Sequence, residues 1–297
     1  MLTKAEVRRH FDAFAVGGRW STLYDEDGDA VTNYSFIVRR RRVETLLGPL
    51  VGAGSRVLDM ACGTGVLAPF IAGRGACYHG IDLSEPMIAQ ARRRFARQNG
   101  GGLNGRPAVE FAVGDVAHID APDGHFDAVL ALGLFEYLQD ADRAADELVR
   151  VTRPGGLILV SVPTARCADA WACRVFSPVV TTAMRAVRRL AGRRTRADRF
   201  SNRRFSAREL DRLFRSRACE KSAQAFYNVE VACYPFRRLF PAASLRLKRR
   251  AEPSADGLLR PFATAYIGSY RRRDDEGTQI TPSGPRPRGN GERRAAG

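Results

Sequence analysis

The sequence predicts an α/β protein with a doubly wound sheet of about seven strands, mostly parallel with an antiparallel edge strand. An apolar run at residues 56–60 has the composition of a strand, breaks into a glycine-containing turn and is followed by a helical segment. A second apolar run ends at Asp82, 23 residues after Asp59. Strand-type runs continue to residue 163, and two more follow at 222–231 and 262–272. This order is typical of a Rossmann-like sheet.

The chain divides into a core with additions. Residues 1–50 contain two segments of helical periodicity and are expected to form a helical N-terminal lid. Residues 51–271 are expected to form the main domain, with basic insertions at 164–205 and 234–252. Residues 272–297 are nearly all polar, Gly or Pro, so we expect a disordered tail.

Two serines mark helix starts. Ser84 is followed by Glu85 and Pro86, which is the pattern of an N-cap and a first helical turn. Ser206 opens the segment SARELDRLFRSR, whose leucines and phenylalanine fall on one face. We expect this second helix to precede the sixth strand.

The charge of the chain is strongly positive. The formal net charge is +16, from 48 basic and 32 acidic residues. Only three of the basic residues are lysines, and alanine is abundant, which indicates a GC-rich genome whose codon bias favours arginine. The two insertions interleave arginine with bulky apolar residues, a pattern typical of a helix on an anionic membrane surface. It is equally typical of a solvated helix that packs on the main domain, and both interpretations stay open.

The cysteines and apolar runs bear on the compartment. The six cysteines include no CxxC pair and no histidine at metal-ligand spacing, so no metal site is expected. No signal peptide is recognised, which favours a reduced cytoplasmic setting. The longest apolar runs have the length of strands, so we expect no transmembrane helix.

The first turn indicates a nucleoside site that is not a dinucleotide site. Ligands of such sheets bind beyond the carboxyl ends of the strands, where an acid can accept both ribose hydroxyls. A GxGxxG fingerprint would require glycine at three positions, which here are Ala61, Gly63 and Val66. The third glycine is missing, and GxxxxGK[ST] is absent. A dehydrogenase and a P-loop nucleotidase are therefore disfavoured.

The string DMACGTG, from Asp59 to Gly65, resembles the first motif of the class I S-adenosylmethionine-dependent methyltransferases. Ala61 replaces the first glycine of that motif. The resemblance extends over residues 50–165 through GIDLSEPMIAQARRRF, VEFAVGDV, FDAVLALGLFEYL and LVRVTRPGGLILVSVP. Several ordered segments are more specific than one glycine loop.

The resemblance implies S-adenosylmethionine as the cofactor and assigns residues to it. Gly63 and Gly65 let the turn approach the methionyl part, and Asp59 orients the loop or meets the amino group. Asp82 holds the ribose, and Asp115 contacts the adenine amino group. The other residues assigned to the cofactor are Ala61, Leu83, Met87, Val116 and Leu132.

Candidates for the reacting side lie after the fourth strand and in the lid. Glu136 and Tyr137 follow the strand end, where members of the family present an acidic and aromatic pair. The alternative is that Glu136 is a helix-start acid and Tyr137 is packing. Three aromatic residues of the lid could cover the methionine end and shape the acceptor pocket, or simply pack on the core: Trp20, Tyr24 and Tyr34. The predicted catalytic residues are Glu136, Tyr137 and Tyr24.

The acceptor is predicted from what the fourth strand lacks. Its end reads LGLF where an NPPY-like signature would indicate methylation of amino groups on bases. The arrangement resembles small-molecule methyltransferases of the ubiquinone-biosynthesis-like group, and the first 50 residues resemble magnesium-protoporphyrin O-methyltransferases. We therefore predict methyl transfer to a small, hydrophobic acceptor, with O-methylation preferred and nucleic acid not expected as a partner. The alternatives are an RNA-modifying or nucleic-acid-binding protein and a non-catalytic cofactor-binding protein. The predicted location is the cytoplasm, with peripheral contact to an anionic membrane left open.

Overall fold

The computed structural model describes residues 3–17, 23–24, 31–98, 109–176, 203–233 and 235–274. Within these residues the helices are α1 (Lys4–Val16), α2 (Val31–Leu47), α3 (Ala68–Ala72), α4 (Glu85–Gln98), α5 (Ala141–Val151), α6 (168–176), α7 (Ala207–Arg215), α8 (Phe236–Leu239) and α9 (Pro241–Ala251). The strands are β1 (Arg56–Met60), β2 (Cys77–Asp82), β3 (Val109–Val113), β4 (Phe126–Leu132), β5 (Thr152–Pro163), β6 (Cys219–Val229) and β7 (Ala263–Arg272). Trp20, most of the insertion at 164–205 and most of the tail at 272–297 lie outside the described residues.

The strands form one seven-stranded sheet in the order β3-β2-β1-β4-β5-β7-β6. The first five pair in parallel, whereas β7 pairs antiparallel with both β5 and β6. The prediction of a mostly parallel sheet with antiparallel pairing at one edge is confirmed. The strand order reverses between β1 and β4, which opens a crevice at the carboxyl ends of the strands.

Both faces of the sheet are covered by helices. Successive side chains of a strand point to opposite faces, and Val57 and Leu58 of β1 accordingly enter two different apolar layers. One layer contains α5 and α7, and the other contains α2, α3 and α4. The sheet is therefore doubly wound, and its crevice is bounded by helices on both sides.

The predicted helix starts are present. The Ser84 hydroxyl accepts a hydrogen bond from Met87 N, and the Ser206 hydroxyl accepts one from Glu209 N. In the expected lid segment, Thr3 forms a capping box with Glu6 at the start of α1. Among the described residues, no helix is both long and apolar enough to cross a bilayer.

Candidate functional site

The turn after β1 adopts a left-handed conformation at three positions. The φ angles are 62° at Ala61, 54° at Gly63 and 66° at Gly65. A left-handed φ costs a residue with a β-carbon roughly 1–2 kcal/mol. Ala61 therefore adopts the geometry of the motif with a strain that glycine would not have. The turn is thereby bent tightly across the end of β1.

Gly65 packs against side chains of the core. A β-carbon there would lie 2.6 Å from Cε1 of Phe111 and 3.3 Å from the β-carbon of Ala91. The glycine therefore makes room for the packing of β3 and α4 against the turn. Its contact with the methionyl part of a cofactor stays a prediction.

Asp82 ties this turn to the end of β2. Its Oδ2 accepts a hydrogen bond from Gly63 N at 2.9 Å, and its Oδ1 accepts one from Ser84 N at 2.9 Å. Burial raises the pKa of Asp82, and the hydrogen bonds from the two amides oppose that rise. The carboxylate lines the cavity and has capacity for further donors.

Asp59 lies at the end of β1, beneath the turn. It is buried, and the Tyr78 hydroxyl donates a hydrogen bond to its Oδ2 at 2.7 Å. Burial raises the pKa of Asp59 to about 7, although the Tyr78 hydrogen bond and the positive charge of Arg39 act in the opposite direction. Asp59 can therefore change its charge near neutral pH.

A cavity of about 400 Å³ lies at the crevice, and we call it the cofactor cavity. All of the predicted site residues line it except Gly65, and they are Asp59, Ala61, Gly63, Asp82, Leu83, Met87, Asp115, Val116, Leu132, Glu136, Tyr137 and Tyr24. Of the two other lid aromatics, Tyr34 is not part of the wall and Trp20 lies outside the described residues. The turn, the strand ends and the N-terminal segment thus meet at one place.

Helix α1 lies over one end of the cofactor cavity, where Asp115 forms part of the wall. Lys4 forms an ion pair with Asp115, and the Ser84 hydroxyl donates a hydrogen bond to Asp12 Oδ1 at 2.6 Å. Phe11 packs edge to face against Tyr137, with 5.2 Å between ring centroids. The helix therefore touches both walls of the cavity.

Glu136 and Arg39 face each other on the opposite wall. Arg39 Nη2 donates a hydrogen bond to the Tyr24 hydroxyl at 2.6 Å. A β-carbon on Gly133 would lie 2.6 Å from Arg39 Nη1 and 3.6 Å from Glu136 Oε1, so both charged groups flank this glycine. Burial raises the pKa of Glu136 to about 7 despite the opposing charge of Arg39. Glu136 Oε2 is buried and has no hydrogen-bond partner.

A second cavity of about 320 Å³ adjoins this wall. Phe36, Arg39, Gly133 and Glu136 line both cavities. The remaining wall comes from the ends of β5 and β6, the start of β7, and single residues of α2, α6 and α9 and of the segment before α7. Glu136 and Arg39 therefore belong to a wall that the two cavities share.

Sequence reasoning missed Arg39 and the walls of the second cavity. Arg39 is the first of four consecutive arginines, and nothing in that run distinguishes a buried arginine from a solvated one. Gly133 carries the clearer sequence signal, because a glycine directly after a strand favours a left-handed turn. The structure has this turn, with a φ of 71° at Gly133. Among the described residues, no group of three or more His, Cys, Asp or Glu side chains could hold a metal ion.

The side chains of the cofactor cavity fit S-adenosylmethionine. The ligand is a nucleoside without phosphate, and it carries positive charge on its sulfonium and amino groups. Three carboxyl groups line the cavity at successive strand ends, from Asp59, Asp82 and Asp115. Leu83, Met87 and Val116 supply apolar surface for a purine ring.

Comparison with known proteins identifies the class. Residues 57–156 match the family model of a methyltransferase domain. The chain is 33% identical over 149 residues to a demethylmenaquinone methyltransferase of Clavibacter sepedonicus, covering 48% of this chain and 57% of that protein. It is 40% identical over 124 residues to a demethylmenaquinone methyltransferase of Thermus thermophilus, covering 41% and 52%. The chain spans about half the length of these curated relatives.

A solved structure extends the similarity to the whole fold. Magnesium protoporphyrin IX methyltransferase from Synechocystis PCC 6803, solved with bound SAH, matches with a TM-score of 0.59 at 15% identity. The match covers 91% of this chain and 100% of that one. At this identity the comparison shows the fold alone. Together with the family match, it shows that residues 57–156 belong to a methyltransferase domain and that the chain has the fold of that enzyme.

The raised pKa of Glu136 predicts a pH-dependent gain in stability for Glu136→Gln. Folding raises this pKa from 4.5 to about 7, so the folded state holds a proton that the unfolded state releases. The free energy of unfolding of the native protein therefore falls as the pH rises from about 4.5 to 7. We expect the variant to match the native protein at pH 4.5 and to exceed it by up to about 3 kcal/mol at pH 8.

Denaturation in urea at several pH values measures this difference. Glu220→Gln is the control, because Glu220 is 64% exposed beside Arg273 and its loss should change the free energy of unfolding by at most about 1 kcal/mol. A difference between Glu136→Gln and the native protein that does not change with pH would contradict the prediction.

Proposed function

We propose that this protein transfers the methyl group of S-adenosylmethionine to a hydroxyl oxygen of a small acceptor. The observation that carries the proposal is the pairing of two features in one place. The cofactor cavity combines the motif turn with three carboxyl groups, and its wall includes the buried, unpartnered Oε2 of Glu136. Similarity to relatives named as methyltransferases of a quinone precursor supports a small acceptor.

The proposal assigns the cofactor to named residues. Asp82 would accept hydrogen bonds from the ribose, and its existing bonds to the turn hold it in place for that purpose. Asp59 would meet the amino group at the methionyl end. Asp115 would accept from the adenine amino group with the Oδ atom that Lys4 does not hold. Leu83, Met87 and Val116 would enclose the ring.

Glu136 would serve as the general base. When bound, S-adenosylmethionine supplies a sulfonium methyl group that the acceptor oxygen displaces in line, the electron pair of the C–S bond leaving with the sulfur. Glu136 Oε2 takes the hydroxyl proton, and its pKa of about 7 suits a base that works near neutral pH. Arg39 stabilises the carboxylate form, because it is the nearest opposing charge. Tyr24 and Tyr137 position the acceptor.

The N-terminal segment would act as the lid. Helix α1 contacts Asp115 through Lys4, and the Ser84 hydroxyl at the start of α4 bonds to Asp12. Arg39 of α2 holds Tyr24 against the acceptor side. Further closure of this segment over a bound cofactor would exclude water, which would strengthen the electrostatic interactions within the cavity.

The basic insertions support contact with an anionic membrane. Trp171, Val175 and Phe176 of α6 are exposed, as are Leu239 and Phe240 next to α9. Exposed arginines accompany them, at positions 174, 246, 249 and 250. Apolar side chains among cations are the composition of a membrane-surface segment.

Binding of the cofactor tests the site directly. Asp82→Ala removes the carboxylate expected to hold the ribose. Two hydrogen bonds to a charged group contribute about 1.5 kcal/mol each, so the Kd for S-adenosylmethionine should rise on the order of 100-fold. Asp127→Asn is the control, because Asp127 lies at the start of β4 and bonds to Arg56 and Arg153, away from the cavity. Calorimetry showing equal affinity for native and Asp82→Ala protein would refute the assignment.

Turnover tests the base. With labelled methyl groups and an extract of cells that lack the gene as the acceptor source, Glu136→Gln should lower kcat roughly 100-fold or more and leave the Kd for S-adenosylmethionine unchanged. The kcat of the native protein at saturating cofactor should rise as the pH passes about 7, because Glu136 then loses its proton. That rise should vanish in the variant and persist in Glu220→Gln. A variant with native kcat would rule out Glu136 as the base.

Flotation with vesicles tests the membrane contact. Native protein should float with phosphatidylcholine vesicles that contain phosphatidylglycerol, and less so as salt increases. The double substitution Trp171→Ser and Leu239→Ser should abolish flotation because it removes two exposed apolar side chains. Leu258→Ser is the control, since Leu258 is 90% exposed outside the basic insertions. Flotation that does not depend on phosphatidylglycerol would contradict this proposal.

A further inference from the structure

The second cavity has a wall rich in charged side chains, although the sequence predicts a hydrophobic acceptor. Five of its wall residues are apolar or aromatic, namely Phe36, Val162, Pro163, Tyr227 and Ala265. Six are charged side chains, three acidic and three basic: Glu136, Asp169, Glu230, Arg39, Arg204 and Lys248. Such a wall offers hydrogen bonds to a polar group beside an apolar surface of similar extent.

The charged groups of the wall are held in place by the fold. Asp169, Glu230 and Lys248 are each at most 3% exposed. Lys248 Nζ lies 3.5 Å from Glu230 Oε2 and donates to the Ser35 hydroxyl at 3.2 Å. Glu230 Oε1 accepts from the Ser244 hydroxyl at 3.0 Å. Burying charges is costly unless they are paired, and these pairs keep charged groups in the wall, where a polar group of a ligand can bond to them.

The wall that the two cavities share can accept a hydrogen bond from a ligand. Glu136 Oε2 is buried and has no partner, so it can accept one hydrogen bond from a ligand. Arg39 lies beside Glu136 and would repel an ammonium group placed there. A neutral hydroxyl satisfies the carboxylate and avoids this repulsion.

Exposed apolar residues lie close in sequence to charged residues that line the second cavity. In α6, in α9 and directly after β6, a charged residue lines the cavity and an exposed apolar residue lies within two positions of it. The pairs are Asp169 with Trp171, Glu230 with Val231, and Lys248 with Leu247. The charged part of the cavity wall and the exposed apolar surface are therefore built from the same segments.

We propose that the second cavity binds the polar, hydroxyl-bearing headgroup of an amphiphilic acceptor, whose apolar part remains on the exposed surface of α6 and α9. The proposal rests on the methyl transfer inferred above. The headgroup hydroxyl donates its proton to Glu136 Oε2 as the new O–C bond forms, and the C–S bond breaks with its electron pair left on sulfur. The acceptor is thus hydrophobic in one part only.

Label transfer into fractionated extracts tests the proposal. Purified protein is incubated with S-adenosylmethionine labelled in the methyl group and with the chloroform-soluble or the water-soluble fraction of cells that lack the gene. Label should enter the chloroform-soluble fraction, and the product should elute with the polar lipids on silica. Asp169→Asn and Arg204→Gln should each raise the KM for this fraction about tenfold, the loss of one hydrogen bond, and leave the Kd for S-adenosylmethionine unchanged. Arg273→Gln, whose exposed guanidinium pairs with Glu220 at the far end of β6 and β7, should change neither constant.

Each of the other outcomes contradicts a different part of the proposal. Label confined to the water-soluble fraction, or a product that elutes with neutral lipids, overturns the amphiphile and leaves the methyl transfer standing. Unchanged KM values for both cavity variants overturn the assignment of the cavity. Cofactor binding without label in either fraction overturns the proposed function itself.

Discussion

The candidate site depends on one buried carboxylate, Asp82. Its two oxygens accept hydrogen bonds from Gly63 and Ser84, so a single side chain joins the turn after β1 to the start of α4. Burying an acid costs free energy, and the two backbone amides replace part of the lost water. The crevice between β1 and β4 therefore keeps its shape, and the other cavity-lining groups are placed relative to it.

A second constraint is electrostatic. Arg39 is the cation that opposes the charges of both Asp59 and Glu136, and burial raises the pKa of both acids to about 7. One group faces the proposed methionyl end, and the other faces the second cavity. Because Arg39 belongs to the N-terminal segment, placement of that segment and ionisation of the two acids are linked. A substitution of either acid should therefore change the pKa of the other.

The local patterns of the sequence were reliable guides. The seven strands, the glycine turn, the acids at strand ends and the serine N-caps were predicted, and the fold and the class of domain are confirmed. Each of these signals depends on residues close together in the chain, where backbone geometry limits the choices. The assignment of individual residues to the cofactor and to catalysis stays a proposal that the experiments above address.

The residue pattern is sufficient to place the strands, the helices, the turn and the acids at the first strand ends along the chain. The packing of distant segments shows in addition that Gly65 makes room for Phe111, that Arg39 turns inward from a run of arginines, and that a second cavity with charged walls adjoins Glu136. The walls of that cavity come from segments between Ser35 and Ala265, so no local pattern describes them. The burial and pairing of charge depend on which distant segments meet, and periodicity carries no information about that.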